Sequence, residues 1–389
     1  MDSNQEIRNI IKKTNTYRCL DCGKCTSVCP LSLFSDKYSP RLLVQKGLLE
    51  SADSFLKHDF IWWCLTCGMC REFCESDVHY TEFIREMRSA ARRVGHEGTY
   101  AHDGALQSLM RIMAQSSLKQ NRLGWLTKDL RVKLSSTSPE DVIYFVGCLP
   151  HFDVFFADLS VKTIKIARGA IKILNHLGIE PVVMPDERCC GRDLLWTGDI
   201  DNFRKLAQHN CEEIRNAGVK KVIFSCPEGY HTFKNEYHKH IKQFDLEIIH
   251  ISEIIAERLP DMKFKKTRKS VTYQDPCSAG RLSGLYEEPR QIINAMGIKL
   301  AEMPRNRKHA TCCGTSGWVN CGASSKHVQL SRLKEAKSTG ADTLITNCPK
   351  CLIHFTCAMN DENTPAEARI EIQDLVTLTA DRLKADGEV

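Results

Sequence analysis

The sequence predicts an α+β protein of several domains, with a helical N-terminal part followed by two α/β units facing each other across a pseudo-twofold axis. Three observations predict this. Two four-cysteine runs of identical spacing sit among helix-periodic segments near the N-terminus. From Asp141 onward, short β-branched or aromatic runs alternate with amphipathic stretches. That second half also repeats itself: "LGIEPVVMP" at 177–185 matches "MGIKLAEMP" at 296–304, and "AGVKKVIFSCPEGYH" at 217–231 matches "TGADTLITNCPKCLIH" at 339–354. The expected divisions are 1–137, 138–265 and 266–389.

The bulk properties agree with this. A chain of 389 residues with 42% hydrophobic content can bury more than one core. The net charge of +6 is not gathered into a basic block, so a nucleic-acid partner gains no support. No apolar run reaches membrane-spanning length, because "VIYFVGCLPHFDVFFADL" is broken by Pro150, His151 and Asp153. The first residues, "MDSNQEIRNIIKKTN", are amphipathic and charged and carry no secretory apolar core. The expectation is a cytoplasmic chain with no membrane span of its own. In a reducing compartment its twenty cysteines read as metal ligands before disulfides.

The first run, "CLDCGKCTSVCP" at 19–30, has C-x2-C-x2-C-x3-C-P spacing, and "CLTCGMCREFCE" at 64–75 repeats it. This is the ligand pattern of two-cluster ferredoxins, in which three cysteines of one run and the last of the other hold each [4Fe–4S] cube. Cys19, Cys22, Cys25 and Cys74 are expected to hold one cube, and Cys64, Cys67, Cys70 and Cys29 the other. Zinc sites favour two separated C-x2-C pairs, whereas these cysteines are bunched twice in fours. Glu75 stands where the first run has Pro30, which leaves all eight ligands in place. "PRLLVQKGLLESADSFLKH" between the runs and "YTEFIREMRSAARRVG" after them read as helix, so both cubes are expected to be enclosed.

In the second half the runs "DVIYFVGC", "KKVIFSCP", "SVTYQDPC" and "DTLITNCP" each read as a strand ending at a cysteine. A cysteine at the carboxyl end of a parallel strand is where α/β proteins gather ligands. Each copy carries one cysteine (Cys148; Cys277), then a Cys-Cys-Gly (Cys189–Gly191; Cys312–Gly314), then a Cys-Pro (Cys226; Cys348). Side-by-side cysteines suit neither a disulfide nor, without a contorted backbone, a single tetrahedral ion.

This arrangement closely resembles the cysteine-rich CCG domain of heterodisulfide reductases. With the two-cluster region ahead of it, the chain resembles the D-type chain of that family, in which the ferredoxin-like and CCG subunits are fused. The iron–sulfur subunits of glycolate oxidase, glycerol-3-phosphate dehydrogenase and benzoyl-CoA reductase complexes share the layout. The resemblance implies that five cysteines, here Cys277, Cys312, Cys313, Cys348 and Cys351, hold a non-cubane [4Fe–4S] cluster at which a disulfide is reduced. The first copy supplies only Cys148, Cys189, Cys190 and Cys226, because Gly229 stands where the second has Cys351. An altered iron–sulfur cluster or zinc is expected there.

The resemblance also bears on protons and partners. Gln274 and Ser278 occupy positions where that family commonly has histidines, so His309, His354 and His231 become the candidate proton donors. Cys211 and Cys357 read as inert thiols, and Cys321, close after the Cys-Cys-Gly loop, reads first as core packing. The implied function is an oxidoreductase subunit that passes electrons through two cubes to a disulfide-reducing site. The alternative is a relay between a flavoprotein and a separate reductase or quinone partner. No G-x-G-x-x-G fingerprint occurs, so a flavin would sit on a partner subunit.

Overall fold

The computed structural model describes residues 3–319 and 321–384, so the outer ends of the expected domains, at 1 and 389, lie outside the described residues. The N-terminal part is helical. Ser3–Lys13 buries Ile7 and Ile10 and ends on Lys12 and Lys13, where cations favour the helix dipole. Pro40–Leu49 starts with Ser39 accepting from the amide of Leu42 and with proline in the first turn. The helical pattern between the cysteine runs is not continuous: Ser51 caps a separate short helix, Ala52–Phe55. Tyr80–Arg93 turns an apolar stripe inward together with Arg85 and Arg88.

Among the described residues seven strands follow, all paired in parallel. Strands β1 (Val142–Phe145), β2 (Lys221–Phe224) and β3 (Glu247–His250) form one sheet in that order. Strands β4 (Ser270–Gln274), β5 (Lys299–Leu300), β6 (Thr343–Thr346) and β7 (Glu371–Asp374) form the other, in the order β5-β4-β6-β7. Val182 bridges β1, exchanging bonds of 2.9 Å (Tyr144 N–H to Val182 O) and 2.8 Å (Val182 N–H to Val142 O). It thus stands beside β1 as β5 stands beside β4, and the two units share one topology. In each unit the chain leaves the first strand to one side and returns to its other side. The crevice beyond β1 and β2, and beyond β4 and β6, is therefore a topological switch point.

The units meet reciprocally. Helix Ile164–His176, which follows β1, packs on Leu375–Arg382, which follows β7. The counterparts of those helices, Glu287–Ala295 after β4 and Ile251–Glu257 after β3, pack on each other in turn. Such exchange of partners is what a twofold interface produces. The first pair approaches closely, since a Cβ on Gly169 would stand 3.2 Å from that of Ala380.

The second unit contributes to two cores. One contains the first unit together with Val271, Tyr273 and Ile293; the other joins the N-terminal helices to Leu333, Leu344 and Phe355. The expected division at 137/138 falls within a segment that already packs on the first unit. Leu106, Met110 and Trp125 belong to that unit's core, and Lys133 pairs with the Val182 edge.

Candidate metal centres

The eight ferredoxin-type cysteines line two cavities. Cys19, Cys22, Cys25 and Cys74 wall one, with Cys70 also on its surface. Cys29, Cys64, Cys67 and Cys70 wall the other. Four thiols around one cavity fit a [4Fe–4S] cube. Backbone amides donate to Cys64 Sγ from Thr66 at 3.3 Å and to Cys74 Sγ from Val78 at 3.4 Å, bonds that favour a thiolate.

Enclosure differs between the two cavities. Cys29, Cys64, Cys67 and Cys70 are buried, whereas Cys22 is exposed and Cys19 and Cys25 are half-buried. The expectation that both are enclosed thus holds only for the second. The first run lies on the outer face, with Tyr17 and Leu20 exposed at 60% and 76%, while the second is covered by the second α/β unit. Glu75 accounts for its departure from proline by pairing with Lys24 across the two runs.

In the second unit five thiols converge. Cys277 follows β4 and Cys348 follows β6, adjacent strands flanking the switch point. Contacts run from Cys277 to Cys312, Cys312 to Cys313, Cys313 to Cys351 and Cys351 to Cys348. Cys348 is the N-cap of Pro349–Met359, whose proline at the first helical position explains the Cys-Pro pair. Gly314 has a φ of +106°, and a Cβ there would stand 2.7 Å from Ser325 O, so the Cys-Cys turn requires glycine.

The second ferredoxin-type cavity abuts this group. Cys67 bonds through its thiol to Cys312, and with Arg281 nearby this holds the Cys67 thiol down at about 6. Arg281 Nε donates to Cys67 O at 2.8 Å, and the hydroxyls of Thr66 and Ser316 are 2.6 Å apart.

The first unit is built alike but stops short. Cys148 Sγ lies 3.1 Å from Cys189 Sγ, Cys189 bonds to Cys190, and Cys226 feels the charge of Cys190. A Cβ on Gly229 would stand 4.0 Å from Cys190 Sγ but only 3.1 Å from the ring of Phe224. Phe145, Phe224 and Phe233 pack with centroids 4.8–5.1 Å apart. In the second unit the positions of Phe145 and Phe224 are held by Gln274 and Thr346. The space of the missing fifth thiol is thus closed by aromatic rings. Among the described residues no three His, Cys, Asp or Glu side chains form a single-ion site, and the thiols of the N-terminal part surround cavities instead.

Comparison with known proteins follows the same division. Residues 15–78 match the 4Fe-4S dicluster domain, and residues 142–234 and 271–356 each match the cysteine-rich domain. The chain is 28% identical to the D-type chain of the dihydromethanophenazine:CoB–CoM heterodisulfide reductase of Methanosarcina barkeri, over 94% of this chain and 93% of that one. The chain is an iron–sulfur protein that resembles heterodisulfide reductase D-type chains. The B-type chain of the CoM/CoB fumarate reductase of Methanothermobacter marburgensis is 26% identical over 88% of this chain and 68% of its own length. The EtfAB:quinone oxidoreductase of Syntrophomonas wolfei is 26% identical over 86% and 54%. These relatives are oxidoreductase subunits, which supports a role of oxidoreductase type, and among the described residues no helix is long and apolar enough to cross a membrane.

Of its three candidate histidines, His354 alone lies against the Cys-Cys-Gly loop. Its Nε2, without a partner among the described residues, would stand 3.1 Å from a Cβ on Gly314, and burial pushes its imidazole pKa down although Cys313 lies beside it. His309 is exposed and packs at a tilt against Phe73, and His231 meets Ser283 Oγ at 3.2 Å. Gln274 accepts from Arg332 and donates to Thr311 O, and Ser278 is buried. Cys211 is buried, which pushes its thiol up to about 12, and Cys357 is half-buried. Cys321 is exposed, so the expectation of core packing fails: the residue ends the loop before helix Ala323–Ser338 and lines a surface cavity beside Tyr100 and His102.

One constellation has no counterpart among the residues singled out from the sequence. Lys350 Nζ, fully buried between the units, meets Asp193 Oδ1 at 2.5 Å and Glu228 Oε2 at 2.7 Å. Glu228 also pairs with Arg192 at 3.3 Å. Glu228 and Lys350 occupy the same position in the two copies, and equivalent positions meet only near a twofold axis. The signal is present as opposite charges at matched places, "CPEG" against "CPKC".

Proposed function

We propose that electrons enter at the Cys19, Cys22, Cys25 and Cys74 site, move to the Cys64, Cys67, Cys70 and Cys29 site, and reach Cys277, Cys312, Cys313, Cys348 and Cys351, where a disulfide or comparable acceptor is reduced. The carrying observation is the contact between Cys67 and Cys312, which joins the ligand set of the second cube to the five-thiol group. The outermost site has an exposed cysteine, Cys22, as a site receiving electrons from a partner needs. When bound, the cluster at the five thiols would supply one-electron reduction and an iron open to substrate sulfur.

The overall step is RSSR′ + 2e⁻ + 2H⁺ → RSH + R′SH. The chain's own residues bear on its protons: His354, beside Gly314 and kept neutral by burial, is the side chain we assign to pass one on to a product thiolate. Relatives named for a CoB–CoM heterodisulfide support the disulfide class. Flavin would come from another subunit, and the free thiols suit a reducing, cytoplasmic setting.

A second reading rests on the first unit. Its four thiols behind Phe224 form no single-ion site among the described residues, so an altered iron–sulfur cluster suits them better than zinc; this leaves one five-thiol site and favours a relay between a flavoprotein and another reductase or quinone partner. One experiment separates the readings: add a small thiol to oxidised, anaerobically purified protein and record the EPR spectrum. Disulfide reduction predicts a new paramagnetic signal that broadens with sulfur-isotope-labelled thiol and vanishes in Cys312→Ser. The relay predicts no thiol-dependent signal and unchanged transfer between added partners.

A further inference from the structure

Two tyrosine hydroxyls meet beside the enclosed ferredoxin-type cavity, and nothing in the proposed electron path uses them. Tyr38 Oη lies 3.0 Å from Tyr80 Oη, and both residues are buried. Both wall the cavity of Cys29, Cys64, Cys67 and Cys70, and Tyr80 also walls that of Cys19, Cys22, Cys25 and Cys74. Helix starts put them there: Tyr38 directly precedes Ser39, the N-cap of Pro40–Leu49, and Tyr80 opens Tyr80–Arg93. Their rings are held by packing, Tyr38 stacked on Trp63 at 6.3 Å and Tyr80 tilted on Phe83 at 6.2 Å.

Chemistry fixes which way the hydroxyl protons point. The hydroxyl of Tyr38 is within hydrogen-bonding reach of Cys64. Burial pushes the Cys64 thiol up, and Arg88, the Thr66 amide and the Tyr38 hydroxyl pull it back. A thiolate ligand has no proton to give and can only accept. Tyr38 O–H therefore points at Cys64 Sγ, and its oxygen is left to accept from Tyr80 O–H. Burial also pushes both phenols well above their usual range, so each keeps its proton and remains a donor. The sulfur thus ends a chain of two buried hydroxyls, beside the 3.3 Å bond it takes from Thr66 N–H.

Such a chain bears on electron uptake. An added electron raises the negative charge on a cube and its thiolates, and burial in a low dielectric makes that charge costlier. Hydrogen bonds to the sulfurs offset the cost and raise the potential. Linked hydroxyls polarise one another, so the second strengthens the first.

We propose that the Tyr80–Tyr38 hydroxyl chain, ending on Cys64 Sγ, raises the reduction potential of the enclosed cube and so keeps it able to take an electron from the exposed one. The proposal rests on the reading that Cys29, Cys64, Cys67 and Cys70 hold a cube. Tyr38 and Tyr80 are positioning residues: neither is a ligand, and Tyr80 acts through Tyr38.

The test is a redox titration of the full chain, purified anaerobically and followed by EPR. Cys64→Ser assigns the signals, because Cys64 walls only the enclosed cavity. Tyr38→Phe keeps the ring on Trp63 and loses the hydroxyl. Its enclosed cube is expected to take up the electron about tenfold less readily, a fall of about 59 mV in midpoint potential, with the exposed cube unmoved. Tyr80→Phe is expected to lower the same midpoint by less, and to add nothing in the Tyr38→Phe background. Iron per chain is expected to match the parent in all three variants, which separates a change of potential from loss of a cluster. An unmoved midpoint in Tyr38→Phe, with the signal of the enclosed cube present, overturns the proposal and leaves the cube reading intact. Equal falls at both cubes, or additive falls in the double variant, also overturn it. A parent spectrum with no signal that Cys64→Ser changes overturns the cube reading and the proposal together.

Discussion

Arg88 shows how one side chain ties the clusters' scaffold together. It is fully buried and donates to the carbonyls of Ile61, Trp62, Cys64 and Trp196, at 3.0, 3.1, 2.8 and 2.9 Å. Three of those carbonyls belong to the approach and start of the second cysteine run; the fourth belongs to the first α/β unit. Arg88→Met leaves all four unsatisfied and should cost about 3 kcal/mol, on the scale of buried bonds to a charged donor. Differential scanning calorimetry should show the lower melting temperature, and EPR should lose the second-run cube before the first. His250 gives a second test at this scale. Burial pushes its imidazole down to about 3, so it stays neutral in the fold, whereas the unfolded chain takes up a proton near 6.5. Stability from this group is present above about pH 6.5 and is lost as pH falls toward 3, at about 1.4 kcal/mol per unit. Denaturant unfolding at pH 7.5 and 5.5 should therefore differ less in His250→Gln than in the parent; an equal difference would clear His250 of this role.

At the scale of elements, the four strands that end in a cysteine were legible because apolar, β-branched runs met a cysteine and then a helix. Strands β3, β5 and β7 were not read as strands. β5 spans only two residues, and β3 and β7, though as long as β1, β2 and β6, run into no cysteine that marks their ends, so pairing with a neighbour is what makes them strands. The missing fifth ligand was legible as Gly229, but its companion change was not. Phe224 closes the space that a thiol would need, and only packing against Phe145 and Phe233 reveals this. Gly229→Cys alone should crowd that ring and leave the metal content unchanged. Gly229→Cys with Phe224→Thr reproduces the second unit's pair and should raise iron per chain, measured by plasma emission spectrometry. Equal iron in the double variant and the parent would show that the ring is not the obstacle.

Across the whole molecule, the charge group on the pseudo-twofold axis couples the two cysteine-rich units. Lys350→Met strands Asp193 in the interior and leaves Glu228 with Arg192 alone, and should destabilise by about 3–5 kcal/mol, because a buried charge left without its partner is costly. Glu228→Gln removes one carboxylate, and the double variant should cost less than the sum, with a coupling above about 1 kcal/mol in a denaturant double-mutant cycle. Strict additivity would mean that the two residues do not sense each other across the axis.

Local spacing in the chain encodes most of the chemistry. Two runs of four cysteines, the Cys-Cys-Gly turns, the Cys-Pro helix starts and the duplication all lie within short stretches, so backbone geometry over a few residues carries them. Packing, by contrast, settles what meets across long separations. It brings Cys67 against Cys312 and Glu228 against Lys350, opens Cys22 to the surface while burying Cys67 and Cys70, and leaves Cys321 exposed. The physical reason is that such contacts follow from which helix and sheet faces bury against one another, and no spacing along the chain records which of two apolar faces will be covered.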